Sequence, residues 1–411
     1  MPSTPPATPP ASAPLSAARL LVCGGLIVTL SMGIRHGFGL WLVPITMERG
    51  WPRETFAFAI ALQNLVWGLC SPLAGMLADR FGALRVLVAG AGLYGLGLLG
   101  MALGASAWAF TGGAGVLIGI AQSATTYAVV YGVIGRQIAP AKRSWAMGVA
   151  AAAGSFGQFL MVPLESGLIG AFGWQQALVL LAASALVIAP LAWGLKEPAH
   201  SLRRQTGAQS AGQAVREAFA TPSFLLLMGG YFVCGFQVVF IGVHMPSYLK
   251  DHGLSPQVAS TALALIGLFN VFGTYTAGSL GQRLAKRHIL SAIYALRSVA
   301  IVVFLSVPLT PLSVAVFASV IGFLWLSTVP PTNAIVAQIF GVQHLSMLGG
   351  FVFLAHQIGS FLGVWLGGRL YDATGSYDIV WWLAVAFGVM AALLNLPVRE
   401  TAIQRPQAQP A

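Results

Sequence analysis

Charged residues are scarce in this sequence. Asp, Glu, Lys and Arg together make up 8% of the 411 residues, whereas about a quarter of the residues of a soluble domain are charged. Hydrophobic residues make up 57%, and a soluble core cannot absorb such an excess. The shortage of charge therefore excludes an ordinary soluble fold and predicts a membrane protein in which apolar helices face lipid.

Acidic residues are the rarer of the two charge signs. The chain has 10 Asp and Glu against 21 Lys and Arg, a net charge of +11, and none of the acids lies near the centre of a predicted span. In a soluble protein this charge would suggest a nucleic-acid partner. We expect no such partner here, because the positions of the basic residues explain the charge through membrane topology.

Cysteines and catalytic motifs are few as well. The three cysteines, Cys23, Cys70 and Cys234, all fall in apolar segments and predict neither a disulfide framework nor a metal site. We find no nucleophile paired with a base, no metal-ligand cluster and no phosphate loop, so the sequence predicts no enzyme and no cofactor. Residues 1–17 lack the basic region of a cleavable signal peptide and predict a disordered cytoplasmic tail.

Long apolar segments fill the rest of the chain. Each is close to or longer than the ~20 residues that a bilayer requires. We predict twelve membrane spans, at roughly 18–44, 55–78, 84–105, 108–136, 144–171, 174–195, 224–248, 257–281, 288–308, 311–339, 346–368 and 378–398.

The distribution of Lys and Arg predicts the orientation. With the N-terminus inside, most basic residues fall in cytoplasmic segments, among them Arg80, Arg143, Arg203 and Lys286. An even number of spans then places both termini in the cytoplasm. We therefore expect a multi-pass protein of the plasma (inner) membrane.

The longest polar stretch divides the chain into two halves. We predict a first bundle at 18–195, a cytoplasmic linker at 196–222, a second bundle at 223–398 and a disordered tail at 399–411. The halves resemble each other, because Gly75-Met-Leu-Ala-Asp79-Arg80 and Gly154-Ser-Phe recur at nearly one offset as Gly278-Ser-Leu-Gly-Gln282-Arg283 and Gly359-Ser-Phe. Duplicated halves in a membrane protein are typical of transporters that rock around a central site.

The segment Gly75-Met-Leu-Ala-Asp79-Arg80-Phe81-Gly82 resembles the signature loop of the major facilitator superfamily. The resemblance covers all twelve spans and implies an all-α fold with two pseudo-symmetric six-helix bundles. It also implies that Asp79 and Arg80 take part in gating, by holding the two halves together on the inner side.

Two further segments resemble the oxalate/formate antiporter and monocarboxylate transporter group. They are Arg143-Ser-Trp-Ala-Met-Gly148 through Pro163-Leu164, and Gly368-Arg369-Leu370-Tyr371-Asp372-Ala-Thr-Gly375-Ser-Tyr377. This resemblance implies transport of small organic acids, with a proton or by exchange. The chain departs from better-known members of the group at Gly267–Thr274 in span 8, where it lacks their substrate-binding arginine.

Two arginines, Arg35 and Arg297, lie well inside predicted spans. A guanidinium remains charged at physiological pH, and its insertion into a bilayer costs about 2.5–3.5 kcal/mol. Arg35 lies about 13 Å from the outer end of span 1, without an acidic neighbour in sequence. We expect it to meet an anionic substrate, whereas Arg297, in the more peripheral span 9, is expected to be structural.

Polar residues at similar depth complete the predicted site. We expect Arg35, Asn64, Tyr127, Asn270 and His356 to bind substrate, the last four through hydrogen bonds. Histidine changes charge near neutral pH, so His356, or else His244, is the predicted carrier of a coupling proton. The choice among these residues uses the resemblance, which implies that spans 1, 4, 7 and 10 line the cavity beside spans 2, 5, 8 and 11.

Together these observations predict a secondary transporter of a small organic anion, a mono- or dicarboxylate, that works by alternating access as a monomer surrounded by membrane lipids. Proton symport and exchange both remain open. One alternative is a drug or metabolite exporter of broad specificity and the same fold. A cation exporter usually requires an intramembrane carboxylate, which the predicted span centres lack. An alternative from another class is a transporter-like ligand sensor.

Overall fold

The computed structural model describes residues 16–138, 140–197, 210–341 and 345–403. In these ranges every regular element is a helix. The predicted tail before residue 16, residues 198–209 of the predicted linker and residues 404–411 lie outside the described residues.

The described part of the first half contains nine α-helices, which carry the first six crossings. They are α1 (Ala17–His36), α2 (Leu42–Arg49), α3 (Arg53–Phe81), α4 (Ala83–Leu103), α5 (Ala107–Thr111), α6 (Ile118–Thr125), α7 (Tyr127–Gln137), α8 (Pro140–Leu186) and α9 (Ile188–Ala192). The short turns Phe38–Trp41 and Trp193–Leu195 are 3₁₀ helices, and Gly112–Leu117 is a π-helical turn.

The second half begins with a short helix in the predicted linker, followed by the remaining crossings. Its helices are α10 (Ala211–Phe219), α11 (Pro222–Asp251), α12 (Pro256–Leu280), α13 (Lys286–Ser306), α14 (Pro311–Leu324), α15 (Val329–Phe340), α16 (Leu345–Thr374) and α17 (Asp378–Asn395).

Eleven helical segments of the described chain are long and apolar enough to cross a membrane. One of them, Gly148–Leu195, has 48 residues and would be about 70 Å long as one straight helix, far more than the ~30 Å of a hydrocarbon core. Gly173 breaks it with a φ of 77°, which a residue with a side chain rarely adopts. This segment therefore makes two crossings, and the predicted twelve spans are confirmed.

Spans 1 and 10 are broken helices. In span 1, α1 ends at His36 and a 3₁₀ turn leads through Phe38–Trp41 into α2. In span 10, the chain leaves α14 at Leu324 and re-enters a helix at Val329. Each break leaves backbone N–H and C=O groups without helical partners, so nearby side chains must satisfy them.

The two halves meet along α3 with α16 and along α8 with α12. They also meet beside the end of α1, because the turn after α1 packs against α11; a Cβ atom on Gly39 would lie 2.4 Å from the carbonyl oxygen of Gly242. We call the end of the molecule at which α3 begins the Arg53 end and the opposite end the Gly82 end. Near the Gly82 end, α7 packs against helices of the first half and α15 against helices of the second.

Residues 399–403 begin the segment predicted as a disordered tail, and they are held against the second half. The backbone N–H of Arg399 donates to the Ser223 hydroxyl at 2.9 Å, and that of Ile403 donates to the carbonyl oxygen of Ile339 at 3.0 Å. Glu400 forms an ion pair with Lys286 at 3.5 Å. The described part of this segment is therefore anchored beside α11, α13 and α15.

Candidate functional site

A small cavity with a volume of about 30 Å³ lies between the two halves. The first half contributes Arg35 and His36 at the end of α1 and Gln63 of α3, and the second half contributes Leu263 of α12 and Trp325 from the break in span 10. Residues of α8 and α11 complete the wall. The cavity is thus lined by both bundles and combines an apolar surface with a cationic group.

Arg35 is the cation in this cavity. Its Nη2 donates to Oδ1 of Asn64 at 2.5 Å, and its guanidinium lies 4.9 Å from the centre of the Trp67 ring. Asn64 is held in turn by its own Nδ2, which donates to the carbonyl oxygen of Ile60 at 2.8 Å. Nε of Arg35 has no hydrogen-bond partner, and among the described residues no carboxylate lies within ion-pair distance. The structure therefore brings Arg35 and Asn64 together and leaves the positive charge without a counterion from the protein.

A hydrogen-bond chain connects this group to His356 in the other half. Nε2 of Gln357 donates to the backbone oxygen of Asn64 at 2.9 Å, and its Oε1 lies 3.0 Å from Nδ1 of His356. His356 also contacts the Tyr231 ring at 5.1 Å between ring centres. The sequence analysis missed Gln357, because an amide next to the predicted His356 gave no separate signal.

Tyr127 of α7 lies near Arg35 but is not among the residues that line the cavity. The two groups are close enough to interact electrostatically, although no hydrogen bond joins them. The Tyr127 ring packs 5.4 Å from that of Tyr131, and its hydroxyl group fits against Gly154, where a Cβ atom would lie only 2.0 Å away. Tyr127 is therefore near the charged group, and its role in binding substrate stays a prediction.

Asn270 lies apart from Arg35, at the contact between α12 and α8. Its Nδ2 donates to the Ser155 hydroxyl at 3.1 Å, and its Oδ1 accepts from the backbone N–H of Leu326 at 3.0 Å and from Thr274 at 3.2 Å. The Asn270 amide therefore satisfies a backbone N–H group that the break in span 10 leaves without a helical partner. Its predicted role in binding substrate stays a prediction.

Arg297 satisfies backbone carbonyl groups at the same break in span 10. Its Nε and Nη2 donate to the carbonyl oxygen of Leu324 at 3.1 and 2.7 Å, and Nη2 also donates to that of Trp325. Nη1 points to Oε1 of Gln237 at 3.4 Å. Because these carbonyls follow the end of α14, the guanidinium replaces helical donors that the break removes.

A second polar network lies at the Arg53 end, between the two halves. The Arg53 guanidinium forms a two-point contact with Asp251 at 2.6 and 2.7 Å and donates to the Tyr377 hydroxyl oxygen at 3.0 Å. Burial raises the pKa of Tyr377 above its ordinary value, so this hydroxyl keeps its proton. His244 completes the network, with Nδ1 3.3 Å from the Tyr377 oxygen and Nε2 2.8 Å from the carbonyl oxygen of Val364.

The start of α3 is also fixed by the other half. The backbone N–H groups of Arg53 and Glu54 donate to the Asp372 carboxylate at 3.1 and 2.7 Å, an arrangement that satisfies the free donors of a helix N-terminus and favours negative charge there. The Glu54 carboxylate accepts from Trp365 at 3.1 Å and pairs with Arg369 at 3.2 Å. We call the set Arg53, Glu54, Asp251, Arg369, Asp372 and Tyr377 the end latch.

The predicted gating residues are at the opposite end of the same helix. The side chains of Asp79 and Arg80 lie outside what the structure describes, so their role stays a prediction. The end latch was missed, because its members are on four different segments and their pairing depends on the tertiary structure. His244, a predicted proton carrier, lies beside this latch.

Two joined halves, a cavity lined by both and a latch at one end define a membrane transporter. The profile of the Major Facilitator Superfamily matches residues 21–336 and 227–411, and the chain belongs to this family. Members of the family are transporters, so the prediction that the chain is not an enzyme is confirmed together with the predicted family and fold.

Relatives of this chain extend over most of its length. It is 23% identical over 371 residues to the uncharacterised MFS-type transporter YcxA of Bacillus subtilis, covering 88% of this chain and 90% of that one. It is 25% identical over 381 residues to monocarboxylate transporter 13 of Rattus norvegicus, covering 90% and 86% of the two chains.

Solved structures share the fold. A bacterial homologue of the human lysosomal transporter Spinster, in an inward-facing and occupied conformation, superimposes with a TM-score of 0.75 at 17% identity, covering 94% of this chain and 97% of that one. A D-xylose–proton symporter gives a TM-score of 0.73 at 16% identity, covering 94% and 99%. These similarities establish the architecture, and the substrate must be argued from the site.

Proposed function

We propose that this protein is a secondary transporter that moves a small organic anion, a mono- or dicarboxylate, through the cavity beside Arg35. The observation that carries the proposal is the Arg35 guanidinium, which is held by Asn64 and Trp67 and has no carboxylate partner among the described residues. A fixed cation in such a site attracts an anion and binds a carboxylate with two parallel hydrogen bonds. The monocarboxylate transporters among its relatives support this substrate class.

The neighbouring polar groups have defined roles in this proposal. Asn64 orients the guanidinium, Tyr127 offers a hydroxyl near it, and His356 contributes from the second half through Gln357. Asn270 would act from the α12–α8 contact. Because Arg35 and His356 belong to different halves, a bound anion would bridge the two halves and favour the state in which both sets of groups can reach it.

The transport cycle follows from the latch. With the orientation predicted from Lys and Arg, the Arg53 end faces outward, so the structure represents a state closed to the outside. Opening requires separation of Arg53 from Asp251 and of Asp372 from the start of α3. Anion export by the same fold remains the second candidate, because nothing in the cavity fixes the direction of net transport.

Purified protein in liposomes tests the substrate class. Uptake of labelled monocarboxylates and dicarboxylates is measured with and without a pH gradient. A charged hydrogen bond contributes about 1.5–3 kcal/mol, so Arg35→Gln should raise the KM for the anion by about 10- to 100-fold. Arg35→Lys should be intermediate, because it keeps the charge and loses the fork-shaped donor set.

Arg216→Gln is the matched control. It removes the same charge from an exposed residue of α10, outside the twelve spans, and its uptake should equal that of the wild type. Wild-type uptake by Arg35→Gln would reject the proposed role of Arg35. Failure of the wild type to move any carboxylate of the panel, while it moves neutral or cationic compounds, would reject the substrate class.

A further inference from the structure

Glu165, in the fifth span, is a buried carboxyl group that the proposed binding site does not use. Its side chain is fully buried, and it is the one acidic residue among the buried polar side chains of the described chain. Oε2 accepts a hydrogen bond from Nε1 of Trp41 at 3.2 Å, and Oε1 has no partner. A carboxylate in such surroundings would be a buried charge with a single neutral donor, which is costly.

Glu165 lies against the end of α1. The carboxyl group fills the space beside Gly37, where a Cβ atom would lie 1.6 Å from Oε2. Gly37 is the residue at which α1 ends and the turn to α2 begins. Glu165 therefore packs directly on the break in span 1, immediately after the cavity residues Arg35 and His36.

The ionisable neighbours of Glu165 do not provide a counterion. Tyr94 of α4 interacts with it electrostatically and is itself neutral at ordinary pH. On α1 the ionisable residues beside Gly37 are Arg35, which points to Asn64, and His36, whose Nδ1 lies 2.6 Å from the carbonyl oxygen of Met32.

The other helices that pack on α8 add no nearby charge. α12 and α9 carry no charged residue in their described ranges. Tyr127 of α7 reaches α8 at Gly154, about three helical turns from Glu165. A proton is therefore the simplest means of removing the charge of this carboxylate.

We propose that Glu165 takes up and releases the proton that is coupled to transport, and that its protonation permits the Arg53 end to close. This inference rests on the proposed anion transport and adds the coupling group. The proton comes from bulk water and adds to the carboxylate to give a neutral carboxyl group, with no other bond made or broken. Trp41 connects this event to the closed end, because it ends the turn in which Gly39 packs against Gly242 of α11.

The two predicted proton carriers are placed differently. The hydrogen bonds at both ring nitrogens of His244 suit a neutral ring, with Nε2 donating to Val364 and Nδ1 accepting from Tyr377. His356 is linked to Gln357 and Ser360. Both remain predictions, and Gln variants of each serve as comparison in the experiment.

The experiment compares two transport modes in liposomes with a labelled carboxylate that the wild type carries. One mode is accumulation driven by an inward proton gradient, and the other is exchange against the same unlabelled anion at equal pH. Glu165→Gln, which imitates the protonated group, should lose gradient-driven accumulation by about tenfold or more while exchange stays within about twofold. Glu48→Gln is the matched control, because the Glu48 carboxylate also accepts from an indole, that of Trp174 at 2.6 Å, but is exposed.

The outcomes distinguish failure of the Glu165 inference from failure of the proposed anion transport. Gradient-driven accumulation by Glu165→Gln equal to that of the wild type overturns the inference. So does a selective loss of accumulation, with exchange retained, in His356→Gln or His244→Gln but not in Glu165→Gln. Exchange by the wild type without any effect of the gradient overturns the inference and leaves anion transport intact. Absence of both modes for every carboxylate in the wild type rejects the proposed function itself.

An infrared measurement keeps the inference testable if Glu165→Gln fails to fold. The wild type should show a carbonyl band of a protonated carboxyl group that disappears as pH rises. Trp41→Phe removes the one donor that stabilises the ionised form, so this band should persist to higher pH than in the wild type. Absence of a titrating band, or an unchanged titration in Trp41→Phe, would overturn the inference.

Discussion

At the scale of single residues, the two intramembrane arginines show that burial of a charge has more than one purpose. Arg297 directs its donors at the carbonyl oxygens of Leu324 and Trp325, so the protein itself satisfies it. Arg35 makes one side-chain hydrogen bond and retains an unpartnered Nε. Both arginines could be selected from the sequence. Their partners in the structure support a structural role for Arg297 and a binding role for Arg35.

Substitution of Arg297 should therefore affect stability rather than substrate recognition. Arg297→Leu leaves the carbonyl groups after α14 without donors, and each buried group without a partner costs about 1–3 kcal/mol. We expect a clearly lower melting temperature in detergent, measured by the loss of monodisperse protein on heating, with an unchanged KM in the fraction that folds. A raised KM at wild-type melting temperature would instead place Arg297 in the binding site.

At the scale of elements, the spans were predictable and their breaks were not. Long apolar runs determine where a chain can cross a bilayer, and all twelve predicted crossings are present. The break in span 10, at Trp325–Thr328, is followed by Pro330 and Pro331 in the first turn of α15, which is a local signal for the start of a helix. The contacts that stabilise the break come from Asn270 and Arg297 in other spans, and a local pattern cannot show them.

The same reasoning applies to the candidate site. Intramembrane polar residues are costly and conspicuous, so Arg35, Asn64 and His356 could be selected from sequence, and the structure connects them through Gln357. Latch residues such as Arg53 and Asp251 look like ordinary loop charges, since only the fold brings α3 and α11 together. Glu165 lay near the end of a span in sequence, and its burial against Gly37 became visible only in three dimensions.

Substitution of Asn270 tests whether its side chain stabilises the break in span 10. Asn270→Ala removes the acceptor for the Leu326 N–H and the donor to Ser155. Loss of a buried hydrogen bond costs about 0.5–1.5 kcal/mol, and more where a partner is left unsatisfied. We expect a lower melting temperature and slower transport at unchanged KM, measured in detergent and in liposomes. A higher KM at wild-type stability would support its predicted contact with substrate.

At the scale of the whole molecule, the end latch and a bound anion both affect the equilibrium between the states that are closed and open at the Arg53 end. The end latch holds the halves at the Arg53 end through charges that are partly exposed, with side-chain exposures of 15% for Arg53 and 26% for Asp251. Partly exposed ion pairs contribute about 1 kcal/mol or less each. Such contacts are weak enough for a bound anion to shift the balance between states, which alternating access requires.

Weakening the latch should therefore populate the state that is open at the Arg53 end. Asp251→Asn leaves Arg53 without its ion pair, and a loss of about 1 kcal/mol changes the ratio of the two states by about fivefold. We would follow this ratio through a Val239→Cys reporter on the cavity wall, in a background without the native cysteines. The measurement is its labelling by a membrane-impermeant maleimide added from the predicted outer side.

Faster labelling in Asp251→Asn, and a return to slow labelling in the charge-exchanged pair Arg53→Asp with Asp251→Arg, would establish both the latch and the orientation. The exchanged pair is the main control, because it restores opposite charges at the two positions while it removes the contacts of Arg53 with Tyr377 and Tyr371. A rescue would therefore be due to the ion pair itself. Labelling that rises only from the opposite side would reverse the predicted orientation. An unchanged rate from both sides would show that closure depends on the packing of Gly39 against α11 rather than on these charges.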